Sequence, residues 1–264
     1  MIIFTDLDGS LLQVETYSFE PAIETVHRLR AAGIPLIFCS SKTRLEQEYY
    51  QRALGISSPM IIENGAAILL PRRDFPDVVP EAIQQPEYQV IEYGAPVEFI
   101  RARLAALRTK GNLPFQGLSE LSEVEMEQWT GLSGEAARRA QQREYSDTLI
   151  GTLTESHLTA LGQKLLADDL AITKGTRFYT VTSIRNDKGR AVRRVMAIYR
   201  ERWGEDLTVA IGDGRNDLAM LKAVDRGFLL QRDPEEWRGV DLSGIQVVPG
   251  IGPACWREVV DRLL

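Results

Sequence analysis

The chain has 264 residues, 44% of them apolar, with 31 Lys and Arg against 37 Asp and Glu for a net charge of −6. That suffices for a full core in one large or two smaller domains, and the acidic balance, without a lysine-rich run, argues against a nucleic-acid binder. Two cysteines (Cys39, Cys255) and two histidines (His27, His157) exclude a disulfide framework, point to a reducing compartment and leave no zinc-site spacing.

The first 70 residues alternate strand and helix signals. Residues 2–5 are an apolar run that ends at acids. Pro21 opens a helix with Ala22, Val26 and Leu29 on one face, and Gly33 stops it. Residues 35–39 read as a buried strand that takes in Cys39. A helix over residues 44–54 stops at Gly55, and residues 60–62 form a third strand. Asn64-Gly65 then predicts a hairpin into residues 67–70. Fully apolar strands separated by helices indicate a doubly wound parallel sheet, a Rossmann-like α/β core.

The rhythm breaks at residues 71–86, which hold Pro71, Pro76, Pro80 and Pro86 and read as a connection. Beyond it, strands are expected at 88–93 and 178–182, and helices at 96–110, 120–129, 133–143 and 154–167. This reads as an inserted α+β cap. The α/β rhythm returns with a helix at 188–203, a strand at 208–211, a helix at 216–223, strands at 228–230 and 245–248, and a last helix at 253–264. The expected division is a core of residues 1–83 and 186–264 with a cap of residues 84–185, hinged near 80–86 and 183–187. The chain opens on a strand-like run, and no stretch approaches about 18 uninterrupted apolar residues, so a soluble cytoplasmic protein is expected.

Ligands of such sheets sit beyond the carboxyl ends of the strands. There the sequence places Asp6 and Asp8, then Ser40, Ser41 and Lys42, then Asp213, Asn216 and Asp217, with Lys188 opening a helix nearby. Alone, Asp-x-Asp-Gly is a turn sequence, Gly-Asp-Gly a strand-to-helix turn and Lys188 a solvated lysine. A calcium EF-hand is excluded, since Arg215 falls on a ligand position. Jointly the acids form an all-oxygen site. Two unit charges about 4 Å apart repel by roughly 4 kcal/mol at an effective dielectric near 20. A hard divalent cation such as Mg²⁺ relieves this and leaves one carboxylate free to attack phosphorus.

The pattern resembles the haloacid-dehalogenase superfamily of phosphatases. Asp6-Leu7-Asp8-Gly9 matches its first motif, Ser40 its second, Lys188 its third and Gly212-Asp213-Gly214-Arg215-Asn216-Asp217 its fourth. More narrowly, Ser40-Ser41-Lys42-Thr43-Arg44, Glu63-Asn64-Gly65-Ala66, Thr130-Gly131-Leu132, Arg143-Glu144-Tyr145-Ser146 and Asp187-Lys188-Gly189 resemble mannosyl-3-phosphoglycerate phosphatases. Ser10 and Ser40 stand where threonine is usual, keeping the hydroxyl. Residues 174–178 match only part of a Gly-Gly-Arg-Phe pattern.

The resemblance implies a Mg²⁺-dependent phosphatase acting on mannosyl-3-phosphoglycerate, with glucosyl-3-phosphoglycerate or another sugar phosphate as alternative. It implies Asp6 as nucleophile, Asp8 as general acid and base, and Ser40 and Lys188 around the phosphoryl oxygens. Mg²⁺ would be held by Asp6, the backbone carbonyl of Asp8, and Asp213, with Asn216 and Asp217 behind them. Lys42, Arg44, Arg143, Lys174 and Arg177 would meet the anionic substrate, together with Asn64, while Glu144 and Ser146 would meet sugar hydroxyls. The expected partner is a small phosphorylated glycoside, with no nucleic acid and no membrane; the oligomeric state is left open.

Overall fold

The computed structural model describes residues 1–175, 177–204 and 206–264. Thr176, inside the partial motif at 174–178, lies outside the described residues. In chain order the first elements are β1 (Ile2–Thr5), α1 (Ile23–Ala31), β2 (Leu36–Cys39), α2 (Arg44–Leu54), β3 (Met60–Ile62), β4 (Ala67–Pro71), β5 (Ile83–Gln84) and β6 (Tyr88–Glu92). Then come α3 (Val97–Gly111), β7 (Phe115–Gly117), α4 (Glu123–Thr130), α5 (Gly134–Gln141), β8 (Ser146–Gly151), α6 (Glu155–Leu166), β9 (Leu170–Lys174) and β10 (Tyr179–Ser183). The chain finishes with α7 (Lys188–Trp203), β11 (Thr208–Gly212), α8 (Leu218–Leu221), β12 (Arg226–Gln231), β13 (Ile245–Pro249) and α9 (Pro253–Asp261).

Among the described residues, the main sheet runs β13-β12-β11-β1-β2-β3-β4-β6-β5. From β13 to β3 every pairing is parallel; β4, β6 and β5 add on antiparallel. The parallel strands are apolar throughout because both faces are covered. Ile2, Phe4, Ile37, Cys39 and Ala210 pack toward α7 and α8 through Val192, Val195, Met220 and Leu221. Ile3, Phe38, Val209 and Ile211 pack toward α1, α2 and α9 through Val26, Leu29, Leu54 and Trp256. The fully buried Trp256 also donates from Nε1 to Thr5 Oγ1 at 3.0 Å, fixing α9 to β1.

A smaller sheet, β7-β8-β10-β9, is antiparallel throughout. Helices α3 and α6 cover one of its faces, with Ile100, Leu104, Leu161 and Leu165 against Leu149, Leu170 and Val181. Among the described residues, no helix is long and apolar enough to cross a membrane.

The expected boundary after residue 83 does not coincide with the change of sheet. β6 pairs with β4 from Ala67↔Glu92 to Pro71↔Tyr88, so the main sheet extends to Glu92 and the chain crosses to the smaller one afterwards. The proposed hinge at 80–86 therefore lies within the main sheet: the prolines flank β5, an edge strand, where a missing N–H is tolerated. The Asn64-Gly65 turn does form the β3–β4 hairpin. Strands β5, β7, β8 and β9 were not expected; β5 and β7 are only two and three residues long, and β8 and β9 carry Ser146, Thr148 and Thr173 on the face away from α3 and α6, which breaks their apolar run. The helix expected at 216–223 splits into a 3₁₀ turn, Arg215–Asp217, and the short α8. The Asp217 carboxylate tightens that first turn by accepting from Asp213 N at 3.1 Å and Gly214 N at 2.8 Å.

Candidate active site

The parallel ladder runs one residue past β1, where Asp6 N donates to Ile211 O at 2.9 Å. This holds Asp6, 6% exposed, at the carboxyl edge of the sheet between β2 and β11. The next turn needs Gly9, whose φ is +83° and whose added Cβ would lie 2.2 Å from Asp213 Oδ2. A side chain there would displace the Asp213 carboxylate. Ser10 Oγ donates to Asp213 Oδ1 at 3.3 Å, so the hydroxyl retained after Asp-x-Asp-Gly orients this acid.

Lys188 is the first residue of α7, whose N-terminus Asp187 caps by accepting from Gly189 N at 2.7 Å. Its ammonium is buried between Asp6 Oδ1 at 2.8 Å and Asp217 Oδ1 at 2.6 Å. Burial alone would discourage that charge, but Asp217 and Asp6 outweigh it and hold the lysine above its usual range.

One oxygen each of Asp6, Asp213 and Asp217 lies within 4.8 Å of the others. Burial, then the charge of Asp217, pushes the Asp6 carboxyl up to about 7, although Lys188 opposes this. Burial, then Asp6 and Asp217, raises Asp213 well above the ordinary carboxylate range. One ammonium does not balance three acids, and the donors are all oxygen, so the cluster fits a hard divalent cation. Asp217 has both oxygens committed to Lys188 and to backbone amides, so Asp6 and Asp213 are the available side-chain donors. The Asp8 carboxylate stands outside this cluster.

Asp8 Oδ1 instead forms an ion pair with Lys42 Nζ at 3.1 Å, without aligned hydrogen-bond geometry. Lys42 is buried; it also pairs with Glu46 at 3.3 Å and lies over the Tyr17 ring at 4.6 Å. Burial would lower its pKa, but Asp8 and Glu46 outweigh this and keep it charged. Ser40 is buried at the end of β2; its Oγ accepts from Lys42 N at 3.3 Å and its carbonyl from Asn64 N at 3.0 Å. Asn64 Oδ1 accepts from Asn216 Nδ2 at 3.1 Å, tying the β3–β4 turn to the loop after β11.

A cavity between core and cap is lined by Asp6, Asp8, Lys42, Asn64, Asp213 and Asn216 on one side and by Arg143, Lys174, Arg177 and Phe178 on the other. Arg143 donates to Ser41 O at 3.3 Å and Ser146 Oγ at 2.9 Å, and its Nε is buried without a partner among the described residues. Arg177 donates to Thr130 O at 2.9 Å and Trp129 O at 2.8 Å, anchored by the carbonyls ending α4. Lys174 is an exposed residue at the cavity wall.

Three expected residues lie elsewhere. Arg44 and Glu144 pair with each other at 3.0 Å beside a neighbouring depression. Ser146 is buried, its hydroxyl donating to Glu63. Sequence reasoning missed Glu63, which is fully buried and accepts from Glu144 N at 2.7 Å and Tyr145 N at 3.1 Å. The Glu63-Asn64-Gly65-Ala66 motif contained the residue, but nothing local says that its carboxylate reaches the cap. Tyr17, Glu46, Thr148, Thr173 and Thr180 also line the cavity and carried no motif signal.

A family model described as haloacid dehalogenase-like hydrolase matches residues 3–88 and 135–237. A glucosyl-3-phosphoglycerate/mannosyl-3-phosphoglycerate phosphatase of Methanococcoides burtonii is 38% identical over 264 residues, covering 100% of this chain and 97% of that protein. A mannosyl-3-phosphoglycerate phosphatase of Pyrococcus furiosus is 39% identical over 229 residues, 87% of this chain and 90% of that one. Among solved structures, a haloacid dehalogenase-like hydrolase from Bacteroides thetaiotaomicron superposes with a TM-score of 0.66 at 16% identity, covering 100% of this chain and 99% of that one.

Proposed function

The chain belongs to the haloacid dehalogenase-like hydrolases, and from that premise we propose that it is a Mg²⁺-dependent phosphatase that converts mannosyl-3-phosphoglycerate to mannosylglycerate and phosphate. The observation that carries this reading is the single cavity, with the carboxylates of Asp6 and Asp8 in one wall and the cations of Arg143, Lys174 and Arg177 in the facing cap wall. Such a site suits a substrate with a phosphate at one point and a second anionic group a few atoms away. The likeness to phosphatases named for glycosyl-3-phosphoglycerates, over the whole chain in one case and 87% of it in the other, supports the choice of sugar.

In this mechanism Lys188 holds Asp6 Oδ1, and the second oxygen attacks phosphorus. Asp8, entering the reaction protonated, gives its proton to the departing glycerate oxygen, then takes one from the water that cleaves the aspartyl-phosphate on Asp6. Phosphate leaves and both acids return to their starting states. Lys188 and Ser40 stabilise charge spreading over the phosphoryl oxygens. Mg²⁺ held by Asp6, Asp213 and the backbone carbonyl of Asp8 would, when bound, neutralise the approaching phosphate. Lys42, paired with Asp8, is placed to steady that acid between its two proton transfers.

A second reading, action on glucosyl-3-phosphoglycerate as well, is favoured by the two names carried by the Methanococcoides burtonii relative. The test is phosphate release with Mg²⁺ from the mannosyl and glucosyl substrates, sucrose phosphate and an aryl phosphate, with Asp6→Asn as control. A strong preference for a glycosyl-3-phosphoglycerate, lost by at least about 10³-fold in the variant, is expected. Activity on the aryl phosphate alone would retain the chemistry and discard the substrate.

A further inference from the structure

The two faces of the cap sheet differ in chemistry. Leu149, Val181 and Ile172 turn toward α3 and α6 and form the cap core. Side chains alternate along a strand, so Thr148, Thr180 and Thr173 turn the other way. Register sets them side by side: Thr180 is opposite Thr148 on β8 and opposite Thr173 on β9. All three line the cavity shared with Asp6. Thr148 and Thr180 place their hydroxyl oxygens 3.4 Å apart, and the Thr173 hydroxyl has no hydrogen-bond partner among the described residues.

We propose that this row of threonines is the subsite that reads the sugar hydroxyls of the substrate. Neighbouring strands lie about 4.8 Å apart, so the row sets three hydroxyls on adjacent strands, each able to donate and accept. It carries no charge, and so does not compete with Arg143, Lys174 and Arg177 for the anionic groups. Phe178 and Leu132 line the same cavity and supply apolar surface for the C–H face of a ring. Valine would serve a strand equally well by shape and propensity. A hydroxyl facing a cavity costs free energy unless a ligand or water satisfies it. The row takes the role that the family resemblance implied for Glu144 and Ser146, which do not line the cavity.

The subsite rests on the glycosyl-phosphate reading above, and the experiment separates the two. Thr148→Val, Thr173→Val and Thr180→Val keep size and β-branching. For each, kcat/KM is measured in the full chain on the two glycosyl-3-phosphoglycerates, on sucrose phosphate and on sugar-free 3-phosphoglycerate. The ratio of sugar-bearing to sugar-free kcat/KM should fall about 5- to 10-fold per lost hydrogen bond. An unchanged ratio, with wild type turning over glycosyl-3-phosphoglycerates, overturns the subsite and leaves the function standing. A wild type that ignores those substrates but hydrolyses sucrose phosphate, with the ratio falling in the variants, overturns the function and supports the subsite. A wild type that takes no sugar-bearing phosphate overturns both.

Discussion

Asp6 sits in a crowd of like charge that Lys188 only partly offsets. Its carboxyl is pushed up to about 7 by burial and by Asp217, and Asp213 is raised for the same kind of reason. A carboxyl that holds its proton more tightly folded than unfolded stabilises the fold at low pH. That stabilisation is lost as the pH rises through the folded value. Without metal, thermal stability should therefore fall between about pH 4, the unfolded value, and about pH 7. Mg²⁺ should restore it, by an increment that grows across the same window. Thermal melts in EDTA and in Mg²⁺ across this range check the expectation. A midpoint that rises with pH in EDTA would remove Asp6 and Asp213 as the controlling groups. Asp6, Asp8, Lys188 and Asp213 could be singled out in the sequence because each follows a strand or opens a helix within a short motif. Glu63 was not, because its partners lie about eighty residues away.

The β3–β4 turn does more than reverse the chain. Glu63, Asn64 and Gly65 have consecutive positive φ values of 46°, 63° and 86°. An added Cβ on Gly65 would lie 2.5 Å from the Asp187 carbonyl and 2.7 Å from Lys188 N. The turn thus packs against the start of α7, the element that carries Lys188 to Asp6. Gly33→Ala supplies the comparison, since Gly33 has φ +67° with nothing within 4 Å of an added Cβ. It should cost only the backbone strain, about 1–2 kcal/mol. Gly65→Ala should cost about 1–3 kcal/mol more through overpacking, and should slow turnover by moving Lys188. Urea unfolding and steady-state rates on both variants test this; equal stability losses with unchanged kcat would show that the turn does not position α7. The Asn-Gly pair announced this hairpin, but its contact with α7, more than a hundred residues on, is tertiary.

Core and cap are joined through buried and partly buried polar contacts. Glu63 accepts from the amides of Glu144 and Tyr145 and from Ser146, while Thr43 Oγ1 donates to Arg139 O at 2.9 Å and Arg143 to Ser41 O. Burial withdraws the Glu63 carboxylate from water and raises its pKa even so. Glu63→Ala would leave those cap donors unpaired, at about 1–3 kcal/mol for each group that stays buried. The expected results are lost hydrogen-exchange protection at the Glu144 and Tyr145 amides, a lower thermal midpoint and a raised KM, since Arg143 rides on this turn. Retained protection would mean that other contacts hold the cap.

The sequence by itself determined the order of the parallel strands β1, β2, β3, β11, β12 and β13, the acids that follow them, and the interruption of that rhythm in the middle of the chain. These depend on local signals: apolar periodicity, prolines at helix starts, and glycines at helix ends and turns. It did not determine which cap residues reach the cavity. Arg44 and Glu144 are spent on each other, Ser146 lies beneath Glu63, and Thr148, Thr173 and Thr180 meet only when three strands come into register. Which face a short strand presents, and which charge finds a partner, depends on contacts between distant parts of the chain, so only the tertiary structure decided them.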